Sequence, residues 1–476
     1  MTAPLTTNWS FRLLVPLNGS ASPSSKNIVV QGKQWTIKEF QMPTDDIPAY
    51  TCVSYAWGKE KTANPVYEGF QMSGRAMAVL DTATGALSLI NGPDNETDAI
   101  WMDAFCVPPA GIDRHLNLQN MGAIYARARQ VVVVFSTSGS NLLQLVREKD
   151  SITVDQLSSL EEDEWISRAW TYQEIANSQR FYFVAERDNK APVEGADLLQ
   201  PLSELLNAYE RAEGYSSFAM QTVFPRLTSL EALMVESIIS SYTEKSVYQV
   251  IATMYLRETE KPEDVYDAMI GAITDSPLER AGDLADSPVT YFLQVCEAKG
   301  DFSFIYSIAG RSKIKGRKWR PEDASLQLVL PWIFCFGKGQ PGKRLPGSLQ
   351  LDKVRVVPLG GQPDSSITDH LSSIFKKPDS SAAAPLTSII LESLRQVGFS
   401  GCGEYLELEN GYFFPQETIK DFQSLHVVIA SGVRFPFGAT GLLVKDNGSG
   451  VYDFYDVGLF VGHPSKEEEL TTILLA

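Results

Sequence analysis

The sequence predicts an α/β protein in three parts: a parallel sheet flanked by helices over residues 1–190, a helical region over 191–325 and a β-rich part over 326–476. Three observations carry that reading. The run VVVVF at 131–135 is continuously apolar and β-branched, as expected of a strand covered on both faces in a parallel sheet. Strand-like and helix-like patterns alternate on either side of it, the order of crossover units. Beyond residue 195 apolar residues fall at helical spacing, and beyond about 425 they alternate around a turn-forming DNGSG. A chain of 476 residues is also too long for one core.

Taken in order, SASPSS at 20–25 is a loop, and 34–40 a short strand before the turn marked by Pro43 and Pro48. YTCVSYAWG at 50–58 reads as a strand closing on a Trp-Gly turn, where Gly58 lets the backbone come close to a ligand. Helical spacing runs over 80–90. DAIWMDAFCV reads as a second buried strand with Asp103 at its carboxyl end, a residue type rarely used to fill a core. Residues 113–129 form a helix with Leu116, Asn120, Ile124 and Ala128 on one side and Arg127 and Arg129 at the end where the dipole favours cations. It feeds the valine strand, which Ser136 ends and which should be central, flanked by the strands containing Val53 and Trp101. The polar insertion 137–164 exceeds ordinary connections and is expected to form a lid or a partner surface. In WISRAWTYQEI, Trp170 and Glu174 stand four apart on one helical face, and a strand follows at 181–185.

Ligands of open α/β sheets bind outside the carboxyl ends of the strands. A carboxylate beside an aromatic plane there suits a sugar-linked cationic ligand; the same pair also reads as a packing tryptophan with a solvated glutamate. Further along, GADLLQPLSELLNAYERA, SLEALMVESIISSY and SVYQVIATMYLRE form helices, with Thr243 and Ser246 as capping choices. RSKIKGRKWR at 311–320 reads as a solvated basic loop, or as a phosphate or partner contact. KKPDSSAAAP at 376–385 is a flexible connection, and the last segments build a β-hairpin.

With 41 basic and 58 acidic residues the formal charge is −17, which argues against nucleic-acid binding and against an anionic membrane surface. Five scattered cysteines and four dispersed histidines show no CxxC, HExxH or other ligand spacing, so neither a disulfide framework nor a metal site is expected, and a reducing compartment fits. MTAPLTTNWSFRLLVPL lacks the layout of a signal peptide, and no apolar run approaches the ~20 residues of a membrane helix, so a cytoplasmic protein without a membrane span is expected. There is no P-loop and no GxGxxG, and no resident cofactor is expected.

Four blocks, SYAWG, IWMDAFC, MGAIYARA before VVVVF, and WISRAWTYQE, together resemble the successive blocks of the fungal heterokaryon incompatibility (HET) domain over residues 50–175, with a weaker echo in EDVYDAMIGAI at 263–273. The last of the four is strongest, matching at Trp165, Arg168, Ala169, Trp170, Thr171, Gln173 and Glu174. Pro108 and Pro109 replace the family's Asn-Gln, Asp113 and Arg114 its Glu-Arg, and Asn117 its glutamine, which alters the polar character of that turn.

HET domains in turn resemble Toll/interleukin receptor (TIR) domains. That likeness implies a TIR-like sheet with Ser54, Tyr55, Asp103, Ser136, Trp170 and Glu174 around one site, and some TIR domains cleave NAD with that glutamate while many only assemble with partners. Nicotinamide is already cationic in NAD and leaves as a neutral molecule, so one carboxylate suffices, unlike the paired carboxyls of glycosidases. Under this reading Glu174 is catalytic, stabilising the oxocarbenium charge, and Trp170 or Trp57 stacks on a ring. Ser54, Tyr55, Asp103, Ser136 and Arg168 bind substrate, with Arg168 pairing either a phosphate or Glu174 itself. Three functions stand open: a HET protein of fungal non-self recognition and cell-death signalling that acts as an assembly-triggered NAD glycohydrolase; a non-catalytic module that self-assembles or binds protein partners; and a biosynthetic enzyme reusing the scaffold.

Overall fold

The computed structural model describes residues 9–17, 27–42, 45–92, 99–150, 153–213, 220, 223–239, 245–255, 257–262, 264–274, 287–322, 326, 328, 335, 337–359, 405–408, 411–417, 419, 424–435, 437–462 and 470–476. The readings at 20–25 and 376–385, and that on Thr243, lie outside them. The chain divides into two compact units, the first made of Met1–Glu213, Val223–Thr243 and Leu256–Asp283, the second of Gly214–Thr222, Glu244–Tyr255 and Leu284–Ala476.

The first unit is built on an eight-stranded sheet. Its strands are β1 (Trp9–Pro16), β2 (Ile28–Val30), β3 (Lys33–Met42), β4 (Tyr50–Tyr55), β7 (Ala99–Trp101), β8 (Gln130–Phe135), β9 (Phe181–Ala185) and β10 (Val193–Glu194), while β5 (Lys61–Ala63) and β6 (Gln71–Ser73) pair separately. The spatial order is β10-β9-β8-β4-β7-β1-β3-β2. The sheet is mixed, not wholly parallel: β9, β8, β4 and β7 run parallel, and β1, β3, β2 and β10 extend it antiparallel.

Residues 130–135 are all buried, as two-sided cover requires, and Val131 to Val134 are each 0% exposed. The valine strand is interior, with Val53 directly beside Val132. Its other neighbour is β9, Val134 facing Val184; the Trp101 strand lies beyond β4, where Cys52 faces Trp101. In chain order the four parallel strands therefore sit second, first, third, fourth, the flavodoxin-like winding, whose switch point falls between β4 and β8.

The helices used below are α1 (Ala76–Asn91), α2 (Asp103–Cys106), α3 (Ile112–Gln119), α4 (Met121–Arg127), α5 (Ser140–Glu148), α6 (Val154–Glu161), α7 (Glu164–Ser167) and α8 (Ala169–Ala176). The helix expected over 113–129 is broken at Asn120, whose backbone leaves the helical region at φ −92° and ψ 4° and whose amide caps Leu116 O at 2.8 Å. The strand expected to reach Asp103 stops at Trp101, and Asp103 opens α2. The insertion 137–164 is not a structureless loop. It holds α5 and α6, with Leu142, Leu143, Leu157 and Leu160 buried, and a Thr153–Gln156 capping box starts α6.

In the second unit β12 (Ser348–Pro358), β15 (Leu425–Phe435), β16 (Gly438–Asp446) and β17 (Val451–Gly462) pair in sequence, and β18 (Thr471–Leu475) pairs with both β17 and β12. These five strands close a ring of pairings, which leaves none of them an open edge. Bulges between Leu351 and Val354, Ile429 and Arg434, and Leu443 and Val444 supply the bending that closure needs. The expected hairpin is β16–β17, turning through Gly448 and Gly450 at φ +74° and +80°. Ser246 caps the helix Val247–Met254, accepting from Tyr248 N. The 311–320 segment is only partly a solvated loop. Trp319 is buried, and Arg311 donates to Trp319 O, Ile305 O and Ser307 O beneath the Phe454 ring, so burial pulls its pKa down to about 10.

Candidate active site

The carboxyl end of β4 and the helices α7 and α8 meet beside the switch point. Ser54, next to last in β4, is 1% exposed, and its hydroxyl donates to Glu174 Oε2 on α8. Trp165, on α7, donates its indole N–H to the same hydroxyl at 2.7 Å. The indole itself is fixed from behind, edge-on to Phe135 at 5.4 Å and to Phe183 at 6.0 Å. Packing thus sets the direction of the N–H, the N–H orients the hydroxyl, and the hydroxyl holds the carboxyl.

Glu174 is 8% exposed. Burial is the main reason its pKa is pushed up to about 8; the nearby Asp103 charge adds to the rise, while hydrogen bonding from Ser54 and Tyr125 and the Arg168 charge oppose it. The Tyr125 hydroxyl lies 3.4 Å from Val53 O. Arg168 does not neutralise Glu174 by direct contact, because its ion pair is with Glu260 at 3.7 Å.

Asp103 follows β7 at the start of α2. It accepts from Trp57 Nε1 at 2.5 Å and from its neighbour Ala104 N at 2.6 Å, and Lys61 lies 4.7 Å over the Trp57 ring. Burial raises its pKa, and these donors lower it. Tyr55 is buried beside Asp103, whose charge, after burial, raises the phenol pKa. Trp170 is half-buried and makes no hydrogen bond, ion pair or ring contact among the described residues. Ser136 has a different attachment: its hydroxyl donates to Asp163 Oδ2 at 2.6 Å, as does that of Ser138 at 3.0 Å. Asp163 in turn accepts from Trp165 N at 2.9 Å, so Ser136 supports Trp165 at one remove.

Sequence reading assigned no role to three groups around this centre. Arg75 crosses the carboxyl end of the sheet, donating to Glu186 at 2.6 Å and to Ala56 O at 2.8 Å. Arg257 is buried under the start of α8, donating to Arg168 O and Thr171 Oγ1, both at 3.0 Å, with its guanidinium 5.5 Å from the Tyr172 ring. Burial lowers its pKa to about 10, and Tyr172 and Glu174 oppose that shift. Nothing in the local pattern around Arg257 marks it. Asp163 could have been found: it precedes a short helix as an N-cap residue type, and its side chain accepts from Trp165 N. By contrast, Cys106 is an inert core thiol, 0% exposed and pushed up to about 12 by burial.

Among the described residues there is no group of three or more His, Cys, Asp or Glu able to hold a metal, and no helix long and apolar enough to cross a membrane. The fold and the placement of these side chains define a doubly wound α/β domain with a buried carboxyl at its switch point. Residues 50–174, from the first residue of β4 to Glu174 itself, match the family model of the heterokaryon incompatibility protein (HET), and this stretch of the chain is a HET domain. Neither the curated proteins nor the solved structures contain a match.

Proposed function

We propose that this is a fungal heterokaryon incompatibility protein whose HET domain is TIR-like and hydrolyses the N-glycosyl bond of a dinucleotide such as NAD, with Glu174 as the catalytic carboxylate. The observation that carries the reading is the buried Ser54–Glu174 hydrogen bond at the switch point, oriented by Trp165. Rigid packing behind a polar group is what electrostatic stabilisation of a transition state needs.

In the proposed reaction the C1′–N bond breaks with its electron pair going to the nicotinamide nitrogen, which leaves neutral. Positive charge develops on the ribose, where an ionised Glu174 offsets it. Water then bonds to C1′ and gives its proton to Glu174, a carboxyl whose burial makes it a better acceptor than an exposed one. Trp170 offers a half-buried ring for stacking and Trp57 a second near Asp103, while Arg75 and Arg168 are cations of the kind that meet phosphates. Because the ionised form is the reactive one, kcat/KM should rise with pH toward about 8 and then level off.

Incubating the purified chain with NAD and following nicotinamide release tests the proposal, with the chain both dilute and concentrated to allow for assembly. No release at any concentration or pH from 6 to 9 sinks the NAD-hydrolase reading and leaves the partner-binding and biosynthetic ones.

A further inference from the structure

A cavity lies at the amino ends of the same parallel strands. It measures about 240 Å³ and is walled by Trp9, Phe11, Met42, Ile47, Tyr50 and Ile124, with Arg127 and Arg129 completing the lining. This exceeds the ~150 Å³ that suffices to hold benzene in an apolar protein cavity. The aromatic wall is pre-formed: Trp9 meets Phe11 edge-on at 5.7 Å, Phe11 meets Tyr50 at 5.4 Å, and the Tyr50 hydroxyl is held on Ile124 O at 2.6 Å. Among the described residues no acidic side chain lines it. Arg127 and Arg129 are exposed, and Arg127 makes no ion pair among the described residues.

In a chain of net charge −17, an apolar cavity whose charged lining among the described residues is two guanidiniums is selective. Metal cations are repelled, neutral apolar molecules gain nothing from the arginines, and inorganic anions gain nothing from the walls. We infer that this cavity binds a small organic monocarboxylate, its aromatic or short aliphatic body against Trp9, Phe11 and Tyr50 and its carboxylate on Arg127 and Arg129. Guanidinium is the group whose planar fork matches a carboxylate. The site is independent of turnover at Glu174, since it lies at the opposite end of β4.

Calorimetric titration of the whole chain with phenylacetate and octanoate, and with phenylacetamide and inorganic phosphate as controls, tests the inference. At least one acid should bind saturably, with the amide and phosphate each weaker by roughly tenfold or more, the scale of a lost charge-assisted pair. The exposed double variant Arg127→Gln/Arg129→Gln should lose acid binding by a similar factor while its circular dichroism spectrum stays parental. Ala49→Trp, at an exposed lining position, should block the cavity without touching either arginine. Acid and amide binding alike, phosphate binding as tightly as the acids, no saturable binding of either acid, or parental binding by the double variant or by Ala49→Trp would each overturn it.

Discussion

Ser54 and Ser136 stand at the carboxyl ends of adjacent parallel strands, and the resemblance gives them one role, yet the two strand ends are built differently. Ser54 is inside the strand and buried, and its hydroxyl meets a carboxyl carried by a helix interior. Ser136 lies one residue past its strand and meets the N-cap aspartate of α7. An N-cap carboxylate satisfies backbone donors and steadies a helix start. A carboxyl in a helix interior, pressed against a sheet, has no such duty, and its burial raises its proton affinity. Under the proposed function the first strand end serves chemistry and the second support.

The largest expected effect that sharpens this contrast is on Glu174→Gln. It keeps shape and most packing but removes the charge, so nicotinamide release should fall by roughly 100-fold or more, the scale of one lost electrostatic group of about 2.7 to 4 kcal/mol. Parental turnover in a well-folded variant would remove Glu174 from the mechanism.

Next comes stability against pH. Glu174 has a folded pKa of about 8, above its ordinary value of 4.5, so the folded state holds the proton more tightly than the unfolded chain. Its contribution is complete below pH 4.5 and is lost progressively as pH rises to about 8, an effect on the order of a few kcal/mol. Melting curves should show the parent losing stability across that window and Glu174→Gln losing less; parallel curves would mean that the carboxyl is solvated.

Ser54→Ala should cost roughly 1 to 3 kcal/mol, because it strands the buried Trp165 indole N–H. It also removes a bond that lowers the Glu174 pKa, so the rise of kcat/KM should move to higher pH. An unmoved midpoint would separate Ser54 from Glu174. The smallest effect belongs to Ser136→Ala, about 0.5 to 1.5 kcal/mol in chemical denaturation, since Asp163 keeps Ser138 and Trp165 N. Its turnover should stay near parental. A loss as large as that of Glu174→Gln would restore Ser136 to the reacting centre and erase the contrast.

The α/β class, the buried valine strand, the β-hairpin through DNGSG and the HET domain itself were legible in the sequence, because period, composition and motif spacing are local properties. The family resemblance also pointed to Ser54 and Glu174 as neighbours, which the structure joins by a hydrogen bond. Tertiary structure alone decided which strand lies beside the valines, since β9 and β7 have equal claims from pattern and only the crossovers choose between them. It turned the long insertion into two packed helices, because whether leucines four or so apart are buried depends on a surface elsewhere in the chain to cover them. It also decided the partners at the site: Glu260 rather than Glu174 for Arg168, Asp163 for Ser136, and a buried position under α8 for Arg257. Hydrogen bonds and ion pairs act over a few ångströms in space, and residues 27, 92 or 120 positions apart reach that range only after the sheet has been wound.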